Sequence, residues 1–173
     1  MNEGAPNDWE KTVAAAVSAA TRIAVCAIGN DLRGDDGAGL LCLRKIQSNS
    51  PGKIPGRSGE GRPVVFIEGG ETPENETGRM RKFQPDLVLL IDAARADRRP
   101  GEIFLIEKEM ISDEEVSTHR ISLSILFRYL EESLGARVVF IGIEPLSTAI
   151  NAPVSDQVRT SVSLLADYLR NCL

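Results

Sequence analysis

A chain of 173 residues with a formal net charge of −5 can bury about two-thirds of its unfolded surface around one core. Its acidic balance excludes a general nucleic-acid or anionic-membrane binder, since both rely on clustered Lys and Arg; a cationic partner segment suits it better. No stretch approaches the roughly 20 apolar residues of a membrane span, the start MNEGAPNDWEK lacks a signal-peptide pattern, and the three cysteines, without CxxC spacing, read as reduced thiols, so a cytoplasmic protein is expected.

Residues 1–20 form an Ala-rich N-terminal extension in which Trp9, Val13 and Val17 recur at helical spacing, which predicts a short amphipathic helix or a frayed segment. Arg22–Ile28 reads as a first strand, apolar on both faces as a central parallel strand should be. An acidic loop, GNDLRGDDGAG, follows, and Leu40, Leu43 and Ile46 then mark a helix ending near Ser48. Residues 49–62, NSPGKIPGRSGEGR, are a Gly/Pro/Ser-rich loop. Val64–Ile67 is a second strand, and Glu68 follows it among glycines. Pro73–Phe83 reads as a helix capped by Thr72 and ended by Pro85.

Asp86–Asp92 is the third strand, and Glu102–Glu107 the fourth, antiparallel because the link RADRRPG holds no crossover helix. A polar, acidic loop runs to Ser117-Thr118-His119. Leu123, Leu126, Phe127, Leu130 and Leu134 then define an amphipathic helix closed by Gly135. Arg137–Ile143 is the fifth strand, and Pro153–Asn171 the last helix. This alternation predicts one domain over 1–173, a three-layer α/β/α sandwich with a mostly parallel five-stranded sheet.

Three polar groups fall at or just beyond strand ends: Asp35-Asp36, Asp92, and His119, the only histidine. Strand carboxyl ends share one edge in such folds, so these groups can converge. Two carboxylates and an imidazole make a ligand set for nickel, iron or zinc rather than calcium or magnesium. Each also has an ordinary structural reading: Asp35 or Asp36 as a helix cap, Asp92 as a loop holder, His119 as a loop residue. GNDLRGDDGAG is not G-x-G-x-x-G, and its carboxylates would repel a pyrophosphate. The loop before Arg62 is no P-loop. Cys26 with His119 suggests a thiol protease by residue type only, for Cys26 lies in mid-strand and reads as a buried structural thiol. Glu68 and Glu71 read as solvated rim carboxylates.

GNDLRGDDGAG at Gly29–Gly39, EGGETPEN at Glu68–Asn75, LLIDAARAD at Leu89–Asp97, STHRISL at Ser117–Leu123 and GIEP at Gly142–Pro145, in that order, resemble the hydrogenase maturation endopeptidases that trim the large subunit of nickel-iron hydrogenases. The resemblance implies an aspartyl-type endopeptidase whose catalytic and metal-contacting residues map onto Asp36, Asp92 and His119. It also implies that nickel is supplied by the substrate, a nickel-iron hydrogenase large-subunit precursor, with no permanently bound metal. No nucleic-acid or membrane partner is implied, and a monomer is expected. The N-terminal extension and the Gly/Pro loop are longer than the family pattern requires. A scaffold that captures a metal or a metallated partner without cutting it is the competing expectation.

Overall fold

The structure is a computed structural model describing residues 8–48, 61–112 and 120–173. Two of its most apolar segments, β1 (Ile23–Ile28) and β3 (Leu87–Ala93), pair in parallel at the middle of a sheet. All of β1 is buried, and all of β3 as far as Asp92, as expected of strands covered on both faces. β2 (Val64–Gly70) flanks β1 and β5 (Arg137–Ile143) flanks β3, both parallel. β4 (Ile103–Leu105) runs antiparallel to β5. The sheet is therefore five-stranded, in the order β2-β1-β3-β5-β4.

Side chains alternate between two helix layers. Ile23, Val25, Leu89 and Ile91 face α1 (Asp8–Ala19), α2 (Ala38–Ser48) and α6 (Asp156–Cys172). Ala24, Cys26, Val88 and Leu90 face α3 (Thr77–Phe83), α4 (Lys108–Ser112) and α5 (Arg120–Arg128). The N-terminal helix is part of the core: Trp9, Val13 and Val17 are buried, and the Trp9 ring meets Tyr168 edge-on at 5.0 Å. The Tyr168 hydroxyl donates to the Glu10 carbonyl at 2.6 Å, and Arg62 donates to the carbonyl of Val17 near the helix end. No described helix is long and apolar enough to cross a membrane.

Several boundaries differ from the sequence reading, each for a local reason. The segment from Pro73 opens as a tight turn, Pro73–Glu76, before α3 begins. Thr72 does not cap it with its side chain; its hydroxyl accepts from the Asn75 side-chain amide at 3.0 Å. β4 is only three residues long, and α4 lies where the sequence predicts a loop. The helix through Leu130 loosens into a wider turn over Tyr129–Ser133, with Leu134 N–H reaching the Tyr129 carbonyl. α6 starts at Asp156 because Ser155 is held extended (φ −65°, ψ 155°) by bonds to a buried aspartate. The loop of residues 49–60 and His119 lie outside the described residues.

Helix α2 is seated directly on the ends of the two central strands. A Cβ on Gly39 would lie 2.4 Å from the Ile91 carbonyl oxygen and 2.5 Å from that of Ile28, so only glycine permits this approach. Gly39→Ala should therefore destabilise the protein by about 1–3 kcal/mol, seen as a lower urea midpoint with an unchanged m value.

Candidate functional site

The chain leaves β1, returns in β2 on one side, and later adds β3 on the other. The carboxyl ends of β1 and β3 thus flank a topological switch point, the place where open α/β sheets bind ligands. The acidic loop crosses this point. Gly29 turns the chain off β1 at φ +129°, and a Cβ there would lie 1.9 Å from the Asp36 carbonyl oxygen. A tight turn, Gly34–Gly37, then carries both aspartates and packs against the end of β3. The Asp36 carbonyl accepts from Asn30 N–H at 3.3 Å, and the Asp36 N–H donates to the Arg33 carbonyl at 3.1 Å.

Asp36 and Asp92 are both buried, at 2% and 1% exposure. Asp92 is the penultimate residue of β3, in register with Gly142 of β5. The structure thus places Asp36, in the turn after β1, and Asp92, near the end of the adjacent β3, on the same edge of the sheet. Such a pair can offer oxygen ligands to a cation or divide acid and base roles. Among the described residues, no group of three or more His, Cys, Asp or Glu is arranged to hold a metal by itself.

Asp35 does something else. Its Oδ2 accepts from Leu146 N–H at 2.8 Å, Ser147 N–H at 3.0 Å and the Ser155 hydroxyl at 2.9 Å, while Oδ1 accepts from Ser155 N–H at 2.6 Å. Its own N–H donates to the Ser147 carbonyl at 2.9 Å. A fully buried carboxylate with this many donors is an anchor that joins the acidic loop to the segment between β5 and α6. It is not a cap on α2.

Sequence reasoning misses the roles of two further groups. Glu144, 5% exposed, accepts from Ala96 N–H at 2.8 Å and Arg98 N–H at 3.3 Å, holding the loop that follows Asp92. Its position at a strand end before a proline is the available signal. Arg44 on α2 bonds both oxygens of Glu68, at 2.9 and 2.8 Å, and Asp31 at 2.7 Å. Glu68 is accordingly paired rather than merely solvated, and the Arg44 hydrogen bonds hold its carboxyl below the usual range. No local pattern signals this pairing.

Cys26 lies beneath the same edge. Burial pushes its thiol up to about 12, with the charges of Glu76 and Asp92 adding to the effect. It is a neutral, structural thiol at neutral pH, as its mid-strand position implies.

Comparison with known proteins gives a consistent set of likenesses. The family model for hydrogenase maturation protease matches residues 54–170, a span that includes Asp92 and His119 and begins beyond Asp36. The hydrogenase 3 maturation protease of Escherichia coli K12 is 32% identical over 150 residues, covering 86% of this chain and 88% of that protein. The crystal structure of a nickel-iron hydrogenase maturation protease, HycI from Thermococcus kodakarensis, superposes with a TM-score of 0.80 at 32% identity, covering 94% of this chain and 98% of the other. The solution structure of the endopeptidase HycI from E. coli gives 0.72 at 30% identity, covering 87% and 90%.

Removing the Asp35 carboxylate leaves buried donors unsatisfied, at about 1–3 kcal/mol each and not additively. Asp35→Ala should lower stability by about 3 kcal/mol, or Tm by roughly 6–12 °C, measured by thermal unfolding. Cys26 should resist iodoacetamide in the native protein at pH 7.5 and react only after unfolding, as read by peptide mass spectrometry; prompt native labelling would contradict its burial.

Proposed function

Because the chain belongs to the hydrogenase maturation protease family, we propose that it removes the C-terminal extension of a nickel-iron hydrogenase large-subunit precursor after nickel insertion. It is a peptidase, as its relatives are. The observation that carries the reading is the two buried carboxylates at one edge of the sheet, Asp36 in the turn after β1 and Asp92 near the end of the neighbouring β3. An acidic pair at a switch point, backed by rigidly bonded loops, suits recognition of a cation presented by another chain. A cytoplasmic setting fits the three unbridged thiols.

In this proposal Asp36, Asp92 and His119 complete the coordination of the nickel that the precursor brings, which aligns the scissile peptide with the carboxylates. Nickel held there supplies Lewis acidity, or serves only to distinguish a metallated precursor. Where nickel serves for recognition only, the two aspartates share one proton as an acid-base pair: the ionised carboxylate accepts a proton as water attacks the scissile carbonyl carbon. Its partner, protonated, donates to the leaving amide nitrogen, so that a C–O bond replaces the C–N bond. His119 contributes an imidazole donor that neither aspartate supplies.

Mixed with nickel-loaded precursor, the protein should release one defined C-terminal peptide, read as a single mass loss, and leave nickel-free precursor intact. Asp36→Asn, Asp92→Asn and His119→Ala should each slow processing at least about 100-fold while keeping the wild-type circular dichroism spectrum. A stable complex of two full-length chains would mark a binding protein instead. Undiminished processing by either Asp36→Asn or His119→Ala would refute this mechanism.

A further inference from the structure

Most large apolar side chains of the described residues are buried, and the exposed ones are not scattered evenly. Five are exposed, and three of these, Leu32 at 67%, Leu146 at 51% and Ile150 at 69%, sit on just two loops. One is the acidic loop that carries Asp36; the other joins β5 to α6.

The two loops behave as one surface. Asn151 N–H donates to the Leu32 carbonyl at 2.7 Å, Asp35 N–H donates to the Ser147 carbonyl at 2.9 Å, and the Asp35 carboxylate holds Leu146 and Ser147 N–H. Arg95, from the loop after Asp92, reaches Thr148 Oγ1 at 3.4 Å. Backbone tied in this way presents its side chains with little ordering left to lose, and preorganised apolar groups are what a docking surface uses. Apolar side chains gathered in water next to a site commonly mark a protein interface.

We propose that Leu32, Leu146 and Ile150 form an apolar docking rim beside the Asp36–Asp92 site, and that it receives apolar side chains of the precursor polypeptide near its cleavage point. The proposal rests on the function proposed above, because it needs a polypeptide substrate. Continuity argues for this occupant: Leu32 shares a loop with Asp36, and Leu146 is bonded to Asp35, the neighbour of Asp36 in the chain, so the rim adjoins the carboxylate at which the peptide bond is to be presented. The chain's net charge of −5 disfavours an anionic lipid surface as the occupant.

The test compares wild type, Leu32→Ser/Ile150→Ser and Asp36→Asn, using nickel-loaded precursor, titration calorimetry and processing kinetics. The double variant should keep the wild-type Tm, because both side chains are exposed. It should bind precursor at least tenfold more weakly and raise KM at least tenfold, with a smaller change in kcat. Asp36→Asn should not cut, and any loss of affinity it shows should come without a change in the salt dependence, since its apolar rim is intact. Affinity should change little between 0.1 and 0.5 M salt, where charge-driven docking would be screened.

If wild type processes the precursor and the double variant has unchanged KM and affinity, the docking rim is wrong and the protease reading stands. If wild type binds through Leu32 and Ile150 without cutting, the rim stands and the protease reading fails. Affinity that collapses with salt, or self-association of wild type that the double variant abolishes while precursor binding is unaltered, also overturns the proposal. Should wild type neither bind nor cut the precursor, both readings fall.

Discussion

The Asp35 carboxylate is the interaction on which the site's geometry depends. It is fully buried and gathers donors from Leu146, Ser147 and Ser155, so it fixes the acidic loop, the β5–α6 connection and the start of the last helix together. Burying a carboxylate is costly unless such donors surround it. Once they do, any movement of one partner exposes the others to the same cost. Asp36, its immediate neighbour in the chain, inherits a defined position from that anchor. The division of labour between the two adjacent aspartates is thus physical: one has its oxygens committed to backbone and hydroxyl donors, while the other occupies the switch point.

Close approach does the rest. Helix α2 enters on the carbonyls of Ile28 and Ile91, and Gly29 lets the loop fold back until the Asp36 carbonyl touches it. Arg44, further along α2, fastens the outer side of the loop through Asp31 and fastens β2 through Glu68. Glu144 does for the loop after β3 what Asp35 does for the loop after β1. Buried carboxylates thus stand at or just beyond three strand ends, and two of them, Asp35 and Glu144, hold loops together.

Much of this is legible in the residues. Uninterrupted apolar runs identify β1, β3 and β5 because strands buried on both faces leave no room for polar side chains, and Arg137–Ile143 matches its strand residue for residue. The lack of a crossover helix after Asp92 foretells the antiparallel β4. The end of β3 at Asp92 and the loop after β1 that carries Asp36 are both readable from the apolar runs that precede them. What stays hidden depends on long-range partners: Arg44 and Glu68 lie 24 residues apart, and Asp35 and Ser155 lie 120 apart. No local pattern encodes such pairs. The short α4 lies in a polar stretch without periodic apolar positions, and the late start of α6 follows from a tertiary bond to Ser155.

The span of that bond also makes the loop depend on distant chain. Ser155 is made long after Asp35, and α6, which it precedes, buries Val158, Val162, Leu165 and Leu169 in the core. A chain without Ser155 has the acidic loop but lacks two of the donors that hold it in place. The shape of the acidic loop is thereby tied to a segment 120 residues away, and the edge that carries the aspartates is a property of the folded chain rather than of the loop that bears them.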